Sequence, residues 1–331
     1  RKARKLFTGS AYSAATWGHQ ASAVSELQIL TLERSALACT GIKPAGRCRA
    51  TALVVSFGVQ GTPRARIIRE TIRDFFDVLT QITSYNTHDI RCAWNEAKNS
   101  LYDGCNIRKV KGLMSNVIYI LIMAKWTPVA FNCWRDPQDE LWILSSGKVS
   151  PDIVSAAIAK SFLDMDFRRA AEHYNGKGLK EGLHIESSLR LLRNFKESSY
   201  QDKCVLATVL CACCWSGSRI QSIKPSFNPI CKRCSLGVHE TDVHCFWTCP
   251  ANKSIDDDAV RCTEKLVSRA VDDSSNYPCL WLRGLLPKIL PNKMPKPTDQ
   301  LQIRFTNPSL IHWTSGTYYG DASGGVHSQY N

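Results

Sequence analysis

Three cysteines and one histidine stand at spacings that suit a metal ion, in the order Cys231-x2-Cys234-x9-His244-x4-Cys249. Thiolate and imidazole are the ligands that zinc prefers, and a structural zinc takes four of them in a tetrahedron. The Cys-x2-Cys turn brings two sulfurs together, with its backbone N–H groups pointing at them. We expect His244 and Cys249 to lie about one helical turn apart, so that both face the ion. A closed set of four leaves no position for water, which predicts a structural Zn²⁺ rather than a catalytic one.

Two of these four ligands have an alternative in the sequence. His239 could replace His244, and Cys245 could replace Cys249. We favour His244 and Cys249 because Phe246–Trp247 would then pack as the small core of the zinc-binding module.

Prolines set this module apart from its surroundings, since Pro225 and Pro229 precede it and Pro250 follows its last ligand. The pair Cys211-x2-Cys214 has a ligand-like spacing, but it lies in an apolar helical stretch and is expected to be structural. The 15 cysteines are odd in number and no signal-peptide pattern opens the chain, which predicts reduced thiols in a nuclear or cytoplasmic protein.

The net charge of +13 favours a polyanionic partner, RNA and/or DNA. The excess is concentrated in the first third, and a basic pair also lies inside the Cys-x2-Cys turn. A solvated basic surface is the alternative. Contacts through such groups would be salt-sensitive and tolerant of sequence. The predicted nucleic-acid-binding residues are Arg66, Arg69, Arg73, Lys109, Lys111, Lys232 and Arg233.

Hydrophobic spacing predicts helices over most of residues 1–220. Between residues 125 and 147, tryptophans and prolines replace this periodicity, which predicts a connector with a short hairpin (131–134 and 140–144). Its aromatic residues are expected to form a satellite core rather than a stacking platform for bases.

The apolar run Val117–Ala124 is far shorter than the roughly 20 residues that a bilayer requires, so no membrane association is predicted. Nothing in the sequence indicates a small-molecule substrate. The predicted helical stretches are 6–40, 63–83, 88–101, 107–124, 151–174 and 185–215.

The zinc-binding segment resembles the one that follows the polymerase of non-LTR (LINE-type) retrotransposon reverse transcriptases. In that family a Cys-x2-Cys pair precedes a Glu-Thr-containing stretch and then His-x-Phe-x2-Cys-Pro. The chain matches at Glu240-Thr241, His244, Phe246, Cys249 and Pro250.

Two flanking stretches are also similar to that family. Ser10–Gly18, followed by a Leu-rich helix and Gly46-Arg47, resembles the helical region just after the palm, which implies contact with the template–primer duplex. Leu280–Pro287 resembles the linker after the zinc segment.

A third resemblance concerns Tyr318–Gly325, which is similar to the opening of a type-1 ribonuclease H domain. It implies that Asp321 is the first of four carboxylates that hold two Mg²⁺ ions, the others following Asn331. A plain turn aspartate is the alternative. The Tyr-x-Asp-Asp motif of the polymerase does not occur, so we expect this chain alone neither to polymerise nor to cut RNA.

Together these features predict a mainly α fold and a nucleic-acid-binding piece of a retrotransposon reverse transcriptase/ribonuclease H polyprotein. A cellular zinc-finger adaptor that contacts proteins is one alternative, and a decayed retroelement product without function is another.

Asp256–Asp258 is expected to open a helix near 257–271 rather than to hold a metal. The predicted regions are a thumb-like basic helical region (1–124), a connector and helical hairpin (125–220), the zinc knuckle (225–255), a linker (256–310) and a truncated ribonuclease H-like first strand (311–331).

Overall fold

The computed structural model of the chain describes residues 2–82, 86–102, 104–144, 149–194 and 200–289. It is mainly helical with one small sheet, as predicted. The predicted ribonuclease H-like strand at 311–331 and residues 290–310 of the linker lie outside the described residues. The α-helices are α1 (Lys2–Leu6), α2 (Tyr12–Ala15), α3 (His19–Ser22), α4 (Glu26–Ala38), α5 (Arg49–Phe57), α6 (Pro63–Thr80), α7 (Thr87–Tyr102), α8 (Leu113–Met123), α9 (Pro151–Ala171), α10 (Ile185–Asn194), α11 (Tyr200–Leu210), α12 (Gly217–Ile223), α13 (Asp258–Thr263), α14 (Val267–Asp273) and α15 (Pro278–Trp281).

Helix α6 shows why these sequences are helical. Proline suits the first helical position because its missing N–H has no partner there anyway, and Pro63 occupies it. Thr62 precedes it and accepts a hydrogen bond from the N–H of Ala65 at 3.3 Å. Ile68 and Ile72 lie on the face that is buried against the rest of the protein.

The predicted helical stretch 6–40 is divided into several pieces. Gly18 takes a left-handed conformation (φ 71°), which a helix cannot continue through, and α3 begins after it. A turn of π-helix, Phe7–Ala11, joins α1 to α2. Helix α4 starts anew at Glu26, where Ser25 and Gln28 form a reciprocal capping box.

The largest core lies among α6, α7, α8, α9 and the sheet. At its centre Phe75, Trp94 and Trp134 are fully buried, and the two indole rings stack with centroids 6.5 Å apart. Trp126 is also buried, so these aromatic residues belong to the largest core and not to the separate satellite core that the sequence predicted. Residues from both the predicted thumb-like region and the predicted connector contribute to this one core.

The sheet has three antiparallel strands where the sequence predicted a two-stranded hairpin. They are β1 (Thr127–Ala130), β2 (Cys133–Arg135) and β3 (Leu141–Ile143), in the order β1-β2-β3. β1 was not predicted; it lies at the edge of the sheet, where a strand accepts a proline such as Pro128.

A second core joins α5, α10 and α11 to the segment after the predicted zinc-binding module (225–255). Arg283 is almost completely buried, at 1% exposure, and lies at this junction. Its Nη2 donates hydrogen bonds to Thr51 Oγ1 and to the carbonyl oxygen of Leu210, both at 2.8 Å. The segment that follows the module therefore returns to the helical body.

A buried group of charges links α4, α5, α6 and α9. Arg64 donates to both carboxylate oxygens of Glu26, at 2.6 and 2.9 Å, and Arg49 contacts Glu33 at 3.1 Å and Asp166 at 2.8 Å. Burial raises the pKa of Glu33. Burial also acts to raise the pKa of Glu26, but the hydrogen bond and charge of Arg64 hold it below its ordinary value. Each charge in this group depends on the others for compensation.

None of the helices in the described ranges combines the length and the apolar character needed to cross a membrane.

Candidate metal centre

Cys231, Cys234, His244 and Cys249 come together in one cluster that could hold a metal ion. Their ligand atoms all lie within 4.8 Å of one another. The sulfurs of Cys231 and Cys249 are 4.0 Å apart, and Cys234 Sγ is 3.5 Å from His244 Nε2. A tetrahedral zinc with ordinary bond lengths requires S–S and S–N separations of about 3.8 and 3.6 Å. The Cys231–Cys249 and Cys234–His244 separations are close to these values.

The first two ligands are presented by a turn that the backbone closes. The N–H of Cys231 donates to the carbonyl oxygen of Val238 at 2.9 Å, which folds the loop between them back on itself. The N–H of Arg233 donates to Cys231 Sγ at 3.4 Å. Burial acts to raise the pKa of Cys231, but the N–H groups of Arg233 and Cys234 outweigh it and lower that pKa to about 7. Such a thiol is readily deprotonated for metal binding.

The other two ligands are placed by a turn of π-helix, His244–Thr248. The N–H of Cys249 donates to the carbonyl oxygen of His244 at 2.9 Å, a bond across five residues. The predicted helical turn between them is thus a π-turn rather than an α-turn, since five residues of α-helix would leave the two side chains about 140° apart. The wider turn is what allows His244 and Cys249 to face the same point.

The two alternative ligands, His239 and Cys245, lie outside this cluster. His239 is exposed and pairs through its backbone with Ile230. Burial, together with the nearby carboxylates of Glu240 and Asp242, raises the pKa of Cys245 to about 12, which disfavours the thiolate that a metal needs.

The expectation that Phe246–Trp247 forms the small core of the module was wrong. Phe246 is 39% exposed. Trp247 packs edge-on against Trp281, with ring centroids 5.6 Å apart, and its Nε1–H donates to the Trp281 carbonyl oxygen at 2.7 Å. Trp247 thus attaches the module to α15.

The module is joined to the helical body at α12. The N–H groups of Gly217 and Ser218 donate to the Glu240 side chain and carbonyl oxygen, at 3.2 and 3.0 Å. A Cβ at Gly217 would lie 2.9 Å from the carbonyl oxygen of Pro229, so only glycine permits this approach.

A second attachment involves Asp242, which is buried. Its Oδ2 accepts a hydrogen bond from Asn175 Nδ2 at 2.6 Å, and its carboxylate also accepts a hydrogen bond from the Tyr174 hydroxyl. The Tyr174 ring in turn lies under the guanidinium of Arg219, 3.8 Å from its centroid. Asp242 and Arg219 were not predicted from the sequence, since Asn175 and Tyr174 are far from them along the chain.

The basic pair inside the Cys-x2-Cys turn divides into two roles. Arg233 donates to the carbonyl oxygen of Cys245 at 3.2 Å and to Asn252 Oδ1 at 2.6 Å, so it braces the module. Lys232 is exposed beside the ligands.

The predicted arginines of α6 are partly engaged within the protein. Arg66 lies over the ring of Tyr12 at 3.8 Å, and Arg73 pairs with Asp152 at 2.8 Å. The Nε of Arg69 is buried without a hydrogen-bond partner among the described residues. These three predicted contacts stay predictions.

The remaining predicted residues are spread over the chain. Lys109 and Lys111 are exposed, and Lys109 Nζ donates to the carbonyl oxygen of Ser100 at 3.0 Å. Asp321 lies outside the described residues, so its predicted role stays a prediction.

Neither family models, nor curated proteins, nor solved structures give a match to this chain.

Proposed function

We propose that this chain binds nucleic acid, RNA and/or DNA, and that a structural Zn²⁺ holds its 225–255 module together. The observation that carries the proposal is the convergence of Cys231, Cys234, His244 and Cys249 in a chain of net charge +13. Soft thiolates with one imidazole favour zinc over Mg²⁺ or Ca²⁺, which prefer oxygen ligands. Four protein ligands fill the coordination sphere, so the metal would shape the module rather than activate water.

The parent that best fits the sequence is a retrotransposon reverse transcriptase. Support comes from the likeness of the segment Glu240–Pro250 to the zinc-binding segment of the non-LTR family. Within this proposal the chain contributes binding, while Mg²⁺ would belong to an intact ribonuclease H domain.

The exposed lysines are the best candidates for phosphate contacts. Lys232 stands beside the cluster, and Lys109 and Lys111 stand on the helical body. By contrast, Arg64 is buried against Glu26 and contributes charge but no surface.

The test is zinc stoichiometry together with a salt-dependent titration of RNA and DNA oligonucleotides. The variants are Cys231→Ser and Cys249→Ser, with Cys245→Ser as the matched control from the same module. We expect one zinc per chain in the wild type and the control, and none in the ligand variants. Wild-type affinity should fall steeply as salt rises, because bound phosphates release counterions. A zinc-free wild type, or affinity that is flat in salt, would refute the proposal.

A second function, a zinc-finger adaptor for proteins, is favoured by one feature. A surface groove of about 630 Å³ lies beside the ligands and includes Phe246 and Ile255, which are 39% and 41% exposed. Arg261 in its lining is already paired with Asp256 and Asp258, at 2.6 and 2.5 Å, so it is neutralised. A wild-type chain that retains zinc but binds neither RNA nor DNA at low salt would favour the adaptor.

A further inference from the structure

A surface pocket of about 400 Å³ lies between the α2–α3 turn and Glu70 of α6. Its residues are far in sequence from the four candidate metal ligands. Trp17 forms one wall and is 92% exposed, more than any other large apolar side chain in the described ranges. The left-handed conformation of Gly18 (φ 71°) sets the turn that carries it. Tryptophan has the largest apolar side chain, and proteins seldom leave it in water because its burial is favourable.

The floor of the pocket is rigid and polar. Tyr12 and His19 are buried, and the Tyr12 hydroxyl donates to Glu70 at 3.1 Å. His19 Nδ1 lies 2.6 Å from the carbonyl oxygen of Thr16, and its Nε2 lies 3.5 Å from Glu70. These contacts connect the residues of the pocket floor to one another beneath Trp17.

The charge of Glu70 is offset within this group. Arg66 covers the Tyr12 ring at 3.8 Å and approaches Glu70 at 3.9 Å. Burial raises the pKa of Tyr12, so its hydroxyl remains a neutral donor to the carboxylate. Glu70 therefore lines the pocket with a cation, Arg66, beside it.

Basic residues lie on the elements that border the pocket, and Arg66 contacts its lining residue Tyr12. On α6, Arg69 and Arg73 follow Arg66 at helical spacing, so all three lie on neighbouring positions of one face. In addition, the N–H of Gly112 donates to the carbonyl oxygen of Ala21 at 2.8 Å, which holds exposed Lys111 near the end of α3.

This attachment of α3 is reinforced from α8. Asn116 Nδ2 donates to the carbonyl oxygens of His19 and Gln20, at 2.8 and 2.9 Å. The aromatic wall and the basic segment before α8 are therefore fixed relative to each other.

We propose that the Trp17 pocket is the stacking site for an unpaired base of a single-stranded nucleic acid, whose backbone runs past Lys111 and the α6 arginines. This inference rests on the proposed function and assigns the strand type and the residue. An exposed indole offers a π-face that any unpaired base can cover, while neighbouring cations meet the phosphates. In a duplex the base faces are covered by one another, so the pocket selects single strands.

The test compares an oligothymidylate with an abasic oligodeoxynucleotide of the same length, which keeps the phosphates but has no bases. The variants are Trp17→Ala and Trp17→Phe, with Leu27→Ala as the control, since Leu27 is another exposed apolar residue, at 70%, in the same region. We expect Trp17→Ala to weaken oligothymidylate binding by about 5- to 100-fold. Trp17→Phe should retain most of the affinity, and Leu27→Ala all of it. Abasic binding should be the same in every variant.

The outcomes separate the two proposals. Salt-sensitive wild-type binding that Trp17→Ala leaves unchanged overturns this inference alone. An equal loss on both oligonucleotides also overturns it, because the change then acts through charge or folding rather than stacking. A wild type that binds neither oligonucleotide overturns this inference, and it removes the proposed function as well only if RNA oligonucleotides are not bound either.

Discussion

The helical body and the 225–255 module are stabilised in different ways. The body buries large apolar side chains such as Trp94, Trp134 and Phe75. In the module, by contrast, three of the five buried residues belong to the metal cluster. The buried residues of the module are Pro229, Cys231, Asp242, His244 and Cys249.

This difference teaches what each part requires in order to fold. Burial of apolar surface stabilises the body, and its stability should depend on side-chain volume. A segment as short as the module cannot bury enough apolar surface, so within the proposed function we expect a bound metal to supply much of its folding free energy. The two parts should therefore respond to different changes.

The largest effect is expected when the metal ligands are lost. Cys249→Ser should abolish zinc binding and open the module, because structural zinc contributes roughly 10 kcal/mol in small domains. Hydrogen exchange would show rapid exchange across 225–255, with the body unchanged. The exposed Cys262 offers the control Cys262→Ser, which should keep both zinc and protection. Loss of protection in the body as well would mean that the two parts fold as one unit.

The converse change is a cavity in the body. Trp134→Ala should lower the free energy of unfolding by about 3–5 kcal/mol, since the indole is fully buried between Phe75 and Trp94. Denaturant unfolding measures this, and zinc stoichiometry at low denaturant should stay at one. Zinc loss in the folded variant would contradict the independence of the two parts.

A smaller effect should follow from loss of one buried charge. Arg64→Met leaves Glu33, at 1% exposure, with Arg49 as its closest remaining cation, and should cost about 3 kcal/mol. Adding Glu33→Gln to this variant should recover part of the loss, as a double-mutant cycle would show. Full additivity of the two changes would argue against coupling between these groups.

The smallest effect concerns the attachment between the two parts. Burial and the hydrogen bond to Asp242 raise the pKa of Tyr174 to about 12, above its ordinary value near 10. The folded protein thus holds this proton more tightly, so the contribution is complete below pH 10 and is lost as pH rises from 10 to 12. Tyr174→Phe should remove that dependence, measured as the difference in unfolding midpoint between wild type and variant across this range. A difference that is constant from pH 9 to 12 would exclude the ionisation of Tyr174 as its cause.

Local signals were sufficient to predict parts of this structure. The start of α6 at Pro63 follows from a cap and a proline that neighbour each other in sequence. The cluster Cys231, Cys234, His244 and Cys249 follows from spacing, because each ligand pair lies within a single turn.

Features that depend on distant partners could not be predicted in this way. Arg64 lies among the basic residues in sequence, yet it is buried because Glu26 arrives from another helix. The π-turn at His244–Thr248 and the packing of Trp247 on Trp281 likewise depend on contacts that spacing does not encode.

Arg283 also bears on how the chain acquires its structure during synthesis. Its partner Thr51 precedes it by 232 residues, and Leu285 completes the core that contains Cys48 and Val54. At ribosomal rates of about 5–20 residues per second, roughly 10–50 s separate the emergence of α5 from that of Arg283. During this interval the apolar face of α5 lacks its final cover, which makes it a target for chaperones that bind nascent chains.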